Sequence, residues 1–275
     1  MANITAADVS KLRQITGAGM MDCKKALVEA DGDFERAKDL IRERGLAIAN
    51  KRADREASEG AVLATTINNN TAGVIIALNC ETDFVAKNED FVGLAKTILN
   101  VAAKNIPTDL ETLKTLNIDG KTVAELITER SGITGEKMEL AYYAKVEAAQ
   151  VSAYIHMGNK LATLVGLNKI VDNQIGMNIA MQVAAMNPVS VNKDSVPQDV
   201  ITKELEIARE LARNEGKPED MLDKIAEGRL QKFFKESTLL NQEFVQLGKI
   251  SVGDYLKQQE KDLTVTEFKR YGLSS

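Results

Sequence analysis

One unit occurs twice in this chain. Ala61 to Thr66 and Val74 to Leu78 are short apolar segments separated by Asn68-Asn69-Asn70, a spacing that predicts two strands joined by a turn. Behind them Phe91, Leu94, Ala95, Ile98, Leu99 and Ala102 recur every three or four residues, the period of a helix with one buried face, ending near Asn105-Ile106-Pro107. The same order returns as Val151 to Ile155, a turn at Met157-Gly158-Asn159-Lys160, Leu161 to Leu167, and a helix through Ile179, Val183 and Met186 into Asn187-Pro188. Ile76-Ala77-Leu78-Asn79 aligns with Val165-Gly166-Leu167-Asn168, and Ala102-Ala103-Lys104-Asn105 with Ala184-Ala185-Met186-Asn187. Hairpins backed by a helix give an α+β class with antiparallel sheets. The second copy is shorter between strand and helix, and what it lacks lies around Thr82 to Glu89. A segment present in one copy is where a specialised function would be placed, with drift in loop length as the plain alternative.

The rest of the chain is arranged around this duplicated core. Residues 1–48 read as three short helices, broken by Thr16-Gly17-Ala18-Gly19 and Asp31-Gly32-Asp33, which supply left-handed and N-capping residues. Residues 49–59 are charged with little periodicity and read as a linker, partly helical. Residues 60–138 form the first core half, and 139–196 with 235–275 the second. Glu139 to Glu147 alternates Leu140, Tyr142, Ala144 and Val146, a strand expected to lead into the second hairpin, and Val265 to Tyr271 is expected to return the chain to the sheet. Residues 197–234 are expected to be a protruding antiparallel helical hairpin, with Ile201, Leu205, Ala208 and Ala212 facing Leu222, Ile225 and Phe233.

Composition narrows the function. At 44% hydrophobic the chain can bury a sizeable core, and no run of about 18 apolar residues appears, so no membrane partner is expected. The start Met1-Ala2-Asn3-Ile4-Thr5 lacks the regions of a secretion signal, which gives the expectation of a cytoplasmic protein. A net charge of -5 and 4% aromatic residues disfavour direct nucleic-acid binding. Cys23 and Cys80 have no metal-ligand spacing, and His156, the single histidine, cannot form a triad or a metal cluster; no cofactor and no metal are expected. Gly132-Ile133-Thr134-Gly135-Glu136-Lys137 fails as a phosphate loop, because its glycines are too close and Met138 stands where Ser or Thr is required. No other catalytic pattern is present, so the chain is expected not to be an enzyme and a protein partner leads.

Two segments carry a resemblance. Leu12-Arg13-Gln14-Ile15-Thr16-Gly17-Ala18-Gly19-Met20-Met21-Asp22-Cys23-Lys24-Lys25-Ala26-Leu27 and Asn79-Cys80-Glu81-Thr82-Asp83-Phe84-Val85-Ala86-Lys87-Asn88 resemble, in order and separation, the two signatures of the elongation factor Ts family. The likeness extends to the Tyr154 to Lys160 turn, the helical hairpin and Glu227-Gly228-Arg229. It implies a ubiquitin-associated-like N-terminal module, a duplicated core and a protruding hairpin. It also implies a guanine nucleotide exchange factor that binds elongation factor Tu, displaces its magnesium and releases GDP. On that resemblance Thr82, Asp83, Phe84 and Val85 form the magnesium-dislocating segment, Met20, Met21 and Lys24 face the GTPase domain, and His156 with Gly158 contacts a second domain. Phe244 and Val245 align with a further contact loop, where Gln246 departs from the apolar residue expected.

Each of these has a plainer reading. On pattern alone Phe84 is a core aromatic at a helix start, Asp83 an N-cap of the Phe91 helix or of a short turn before it, Lys24 solvated helix surface, and His156 a polar turn residue. A different class of function is an adaptor that binds proteins through the three-helix module alone. The hairpin is in addition a candidate homodimer surface.

Overall fold

A computed structural model of the chain describes residues 4–52 and 54–273. Met1–Asn3 at the chain start, Ala53 of the linker and the terminal Ser274 and Ser275 lie outside them.

The N-terminal module is α1 (Ala6–Thr16), α2 (Met20–Glu29) and α3 (Phe34–Lys51). Thr5 and Asp8 close a capping box on α1, and Gly17 ends it at φ 71°. Leu12, Cys23, Ala26, Leu27 and Ala37 fill the centre, each with no exposed surface. Helix α3 continues past residue 48 to Lys51. It crosses α7 (Val123–Thr134) where two glycines meet: a Cβ built on Gly132 would stand 2.2 Å from the Gly45 Cα. Side chains are excluded there, so the module docks backbone to backbone on the first core half.

That half begins with β1 (Glu59–Ile67) and β2 (Ala72–Cys80), an antiparallel hairpin whose turn holds Asn68, Asn69 and Asn70 at φ 52°, 55° and 63°. Asparagine tolerates this left-handed region better than most side chains. Next come α4 (Asp83–Ala86), α5 (Glu89–Asn105), α6 (Leu110–Thr115), the short pair β3 (Asn117–Ile118) and β4 (Lys121–Thr122), α7, and β5 (Met138–Glu147). The second half has β6 (Gln150–Ile155), β7 (Leu161–Leu167), α8 (Asn173–Met186), α11 (Val252–Gln259) and β8 (Val265–Gly272), and between α8 and α11 lies the hairpin α9 (Gln198–Asn214) and α10 (Leu222–Ser237).

Two three-stranded sheets result, ordered β1-β2-β5 and β6-β7-β8. Strand β8 returns to the second sheet as expected, with Leu164 opposite Lys269. Strand β5 corrects the expectation that residues 139–147 belong to the second half: it pairs antiparallel with β2, Ala77 opposite Tyr142, and completes the first sheet. The free edge of β2 requires a partner for its backbone groups, as that of β7 does. The duplication therefore includes a third strand in each half.

The sheets pack face to face, each with helices outside. Ala61, Leu63, Val74, Ile76 and Leu78 turn outward to Phe91, Ala95 and Ile98, while Val62, Ala64, Ile75 and Ala77 turn inward to Val151, Ala162 and Leu164. Val165 and Leu167 face Ile179, Val183 and Leu256 on the other side. Strand β2 is thus covered on both faces and buried along its whole length, which is why its sequence is apolar without alternation. In the hairpin, Ala208, Ala212, Leu222 and Ala226 form the buried seam, and the expected Ile201, Leu205, Ile225 and Phe233 are half-buried around it.

Candidate functional site

Between Cys80 at the end of β2 and Asn88, the N-cap of α5, the chain forms the single turn α4. Its cap is Thr82, whose hydroxyl accepts from the Val85 N–H at 3.4 Å. Asp83 is the first helical residue, which corrects its reading as a cap; its carboxylate instead accepts from Lys87 Nζ at 2.6 Å. That bond, with the positive charges of Lys87 and Lys160, holds the Asp83 carboxyl below its ordinary range.

A helix of this length has no cooperative stability of its own, so its neighbours hold it. The Thr82 N–H and hydroxyl both donate to the Glu136 carboxylate, at 3.0 and 2.6 Å. Beside it the Glu81 carboxylate accepts from the Lys137 N–H at 2.6 Å and from Arg52 Nη1 at 3.0 Å, and the Lys137 N–H followed by Arg52 lowers its pKa. Beneath the turn the buried Cys80 thiol donates to the Thr82 carbonyl at 3.3 Å. Burial first, then the charges of Glu136 and Glu59, push that thiol up to about 12, so it stays protonated and unreactive. Val85 and Ala86 pack on the first core. Phe84 alone turns away and is 84% exposed, while Phe91 occupies the core position at 1%. The plain reading of Phe84 as a core aromatic is thereby overturned.

A second turn stands beside the first. It joins β6 to β7 with Gly158 at φ 88° and Asn159 at φ 58°. The Asn159 carbonyl accepts from the Val62 N–H at 2.7 Å, and Lys160 pairs with Glu59 at 2.9 Å. Because Glu59 lies opposite Cys80 in the sheet and Lys160 acts on Asp83, this turn and α4 share one end of the molecule. His156 is exposed there, its Nδ1 2.8 Å from the Tyr154 hydroxyl. Between His156 and Gly158 projects Met157, 90% exposed and not singled out by the sequence reading. A large apolar residue inside a Gly-Asn turn was the available signal.

Other expected residues fall elsewhere. Met20 and Met21 are 46% and 64% exposed on α2 beside exposed Lys24, an open apolar face that Val28 extends. Phe244 is a correction: it is 1% exposed and stacks on Tyr255 with ring centroids 4.1 Å apart, so it is core beneath α11 rather than surface. Its neighbours Val245 and Leu247 are the exposed apolar residues of that loop. Among the described residues no group of three His, Cys, Asp or Glu side chains converges to hold a metal.

Residues 81–275 match the family described as Elongation factor TS. Over almost their full lengths, proteins named Elongation factor Ts are similar to this chain. That of Azobacteroides pseudotrichonymphae is 52% identical over 272 residues, covering 98% of each chain. That of Christiangramia forsetii is 52% identical over 275 residues, covering 99% of this chain and 100% of the relative. That of Porphyromonas gingivalis is 51% identical over 273 residues, with 99% of each covered. The chain belongs to the elongation factor Ts family. It is thus a translation elongation factor by family, and its candidate site is a set of exposed apolar groups on fixed turns. Among the described residues no helix is long and apolar enough to cross a membrane.

Proposed function

We propose that this chain is a guanine nucleotide exchange factor that binds GDP-loaded elongation factor Tu in the cytoplasm and releases its GDP. The observation that carries the reading is Phe84, 84% exposed on a turn whose neighbouring residues Thr82, Asp83, Val85 and Ala86 are hydrogen-bonded or packed on the core. Exchange requires no bond-making. A protein that binds the nucleotide-free partner more tightly than the GDP form weakens GDP by the same factor. Burying an exposed phenylalanine side chain on a partner is worth roughly 1.5–3 kcal/mol, which is about a ten- to hundredfold change in an equilibrium. Spent where magnesium demands near-ideal octahedral geometry, an intrusion of that size is enough to disfavour the ion. The magnesium belongs to the partner. Thr82 to Val85 is then the dislocating segment, with Met157, His156 and Gly158 docking beside it, and Met20, Met21, Lys24 and Val245 as outlying contacts.

The adaptor alternative treats the three-helix module as autonomous, and the Gly45–Gly132 contact, which fastens it to the core, weighs against that. On the hairpin, Ile207 and Leu211 at 43% and 50% exposure support a further docking face, a homodimer being one use of it. Sedimentation over a range of concentrations tests that use, and a constant monomer mass would exclude it. The main reading is tested by stopped-flow release of fluorescent GDP from elongation factor Tu with magnesium in excess. The wild-type chain is expected to accelerate release and Phe84→Ala to lose most of that acceleration. Release unchanged by the wild-type chain would overturn the function.

A further inference from the structure

We infer that Glu136 is the positioning residue for the exposed turn, fixing the angle at which Phe84 is presented; the inference rests on the exchange reading above. Glu136 lies in the segment Gly132 to Lys137, which fails the pattern of a phosphate loop and in which no role has yet been given to this carboxylate beyond its bonds to Thr82. Helix α7 ends there on Gly135 at φ 73°, and the reversal aims the next side chain at the β2–α4 connection, 54 residues earlier in sequence.

The contact has a particular chemistry. One carboxylate oxygen takes the Thr82 N–H and the other takes the Thr82 hydroxyl proton, at 3.0 and 2.6 Å. A hydroxyl that gives its proton to an acid leaves its lone pairs for other donors. Those lone pairs face the Val85 N–H, the capping bond of α4. A carboxylate can only accept, so Glu136 fixes the sense of the cap as well as its place. None of the four residues of α4 is fully buried, and Val85 and Ala86 only rest on the core, so the Glu136 carboxylate adds the directional bonds that apolar packing does not supply. Ser131 ties the backbone carbonyl of Glu136 to α7, and α7 carries the docked N-terminal module. The presentation of Phe84 is thereby referred to a rigid helix rather than to a loop.

Glu136 is half-buried and need not touch the partner. Its effect should therefore fall on the maximal release rate and not on docking. The experiment is stopped-flow GDP release from elongation factor Tu over a range of factor concentrations, with wild type, Glu136→Ala, Glu136→Gln, Phe84→Ala and the Phe84→Ala/Glu136→Ala double variant. Amide hydrogen exchange over residues 82–87 and thermal unfolding are recorded on the same full-length chains. Glu136→Ala is expected to lower the maximal rate about tenfold, to change the half-saturating concentration less than about twofold, and to speed exchange at 85–87, fold-changes in keeping with the loss of charge-assisted hydrogen bonds. Glu136→Gln, which can still accept the Thr82 N–H but has no second acceptor oxygen for the hydroxyl, should recover part of the rate, and the double variant should be no slower than Phe84→Ala. A Glu136→Ala chain as fast as wild type would sink the inference, and so would effects of the two substitutions that multiply, because Glu136 would then act on the partner directly. Equal loss in the Ala and Gln variants with a lowered unfolding temperature would also overturn it, as a purely structural role. If the wild-type chain releases no GDP, the exchange reading falls and takes the inference with it, a result distinct from all of these.

Discussion

The two halves of the core differ most where the second strand of each hands over to its helix. Both begin alike: Asn79 donates to the Ala57 carbonyl at 3.0 Å, and its counterpart Asn168 donates to the Asp262 carbonyl at 2.8 Å, each tying the strand end to a neighbouring segment. They then diverge. In the second half the chain goes straight into α8 at Asp172, held by the buried Gln150, which accepts from the Val171 N–H at 2.6 Å and donates to Asn173 at 3.1 Å. In the first half the extra residues build α4, and an acid, Glu136, takes the place of the amide. One connection is closed by a neutral side chain from the sheet; the other lifts an aromatic into solvent from a charged clamp. A duplicated frame therefore decides where each connection lies, and the inserted segment decides what it presents.

Aromatic placement sharpens the contrast most. Phe244 of the second half is stacked in its core and Phe84 of the first is in solvent. Phe244→Ala should cost about 3–5 kcal/mol in urea unfolding, and Phe84→Ala within about 0.5 kcal/mol. A large stability loss at Phe84 would break the comparison. Next in size is Gly132→Ala, whose Cβ would meet the Gly45 backbone at 2.2 to 2.7 Å. The crossing must open, at about 1–3 kcal/mol for overpacking, and limited proteolysis should cut more readily near residues 52–58. Gln150→Ala leaves the Val171 N–H without its acceptor and should cost about 1–2 kcal/mol while leaving GDP release unchanged. Slowed release in that variant would mean that the two connections are not functionally separate.

The smallest effect is one of pH. The Glu81 carboxyl is lowered in the folded chain, so it stabilises fully above its ordinary value of 4.5 and that contribution is lost as pH falls through the lower folded value. Acidification below the ordinary carboxylate range should therefore loosen the first connection more than the second, where the Gln150 amide holds the Val171 N–H beside the Asp172 cap. Residue-resolved hydrogen exchange at 82–87 and 169–173 would detect this, and equal loosening of both would count against the charged clamp. Arg52→Ala should move the Glu81 titration upward without restoring it fully, because the Lys137 N–H is the larger influence.

Much of the frame was legible because its periodicities are physical. The repeated strand, strand and helix, the αL-tolerant asparagines at 68–70 and the broad helical stripe from Phe91 each follow from which face must be buried. The partner of β5 was not legible: alternation at Leu140, Tyr142, Ala144 and Val146 fixes a strand's faces and is silent about which edge it joins. The crossing at Gly45 and Gly132 was missed for a similar reason, since a glycine within a helix signals close approach only when its opposite number is known. At the site, pattern alone put Phe84 in the core, whereas the resemblance gave Thr82 to Val85 as a presented loop; it misplaced Phe244, whose burial depends on Tyr255 of a helix elsewhere in the chain. Glu136 sat in a segment noticed only for failing a different pattern. Its role depends on a contact across 54 residues, which no local spacing encodes.

The central claim is that the chain distinguishes the nucleotide states of elongation factor Tu through Phe84. The direct measurement is the equilibrium affinity of the wild-type and Phe84→Ala chains for the nucleotide-free and the GDP-loaded, magnesium-bound partner. The account predicts that wild type prefers the nucleotide-free form by at least about tenfold, from burial of one aromatic side chain, and that Phe84→Ala loses most of that preference while still docking. Equal affinity of the wild-type chain for both forms, or a preference untouched by Phe84→Ala, would contradict it.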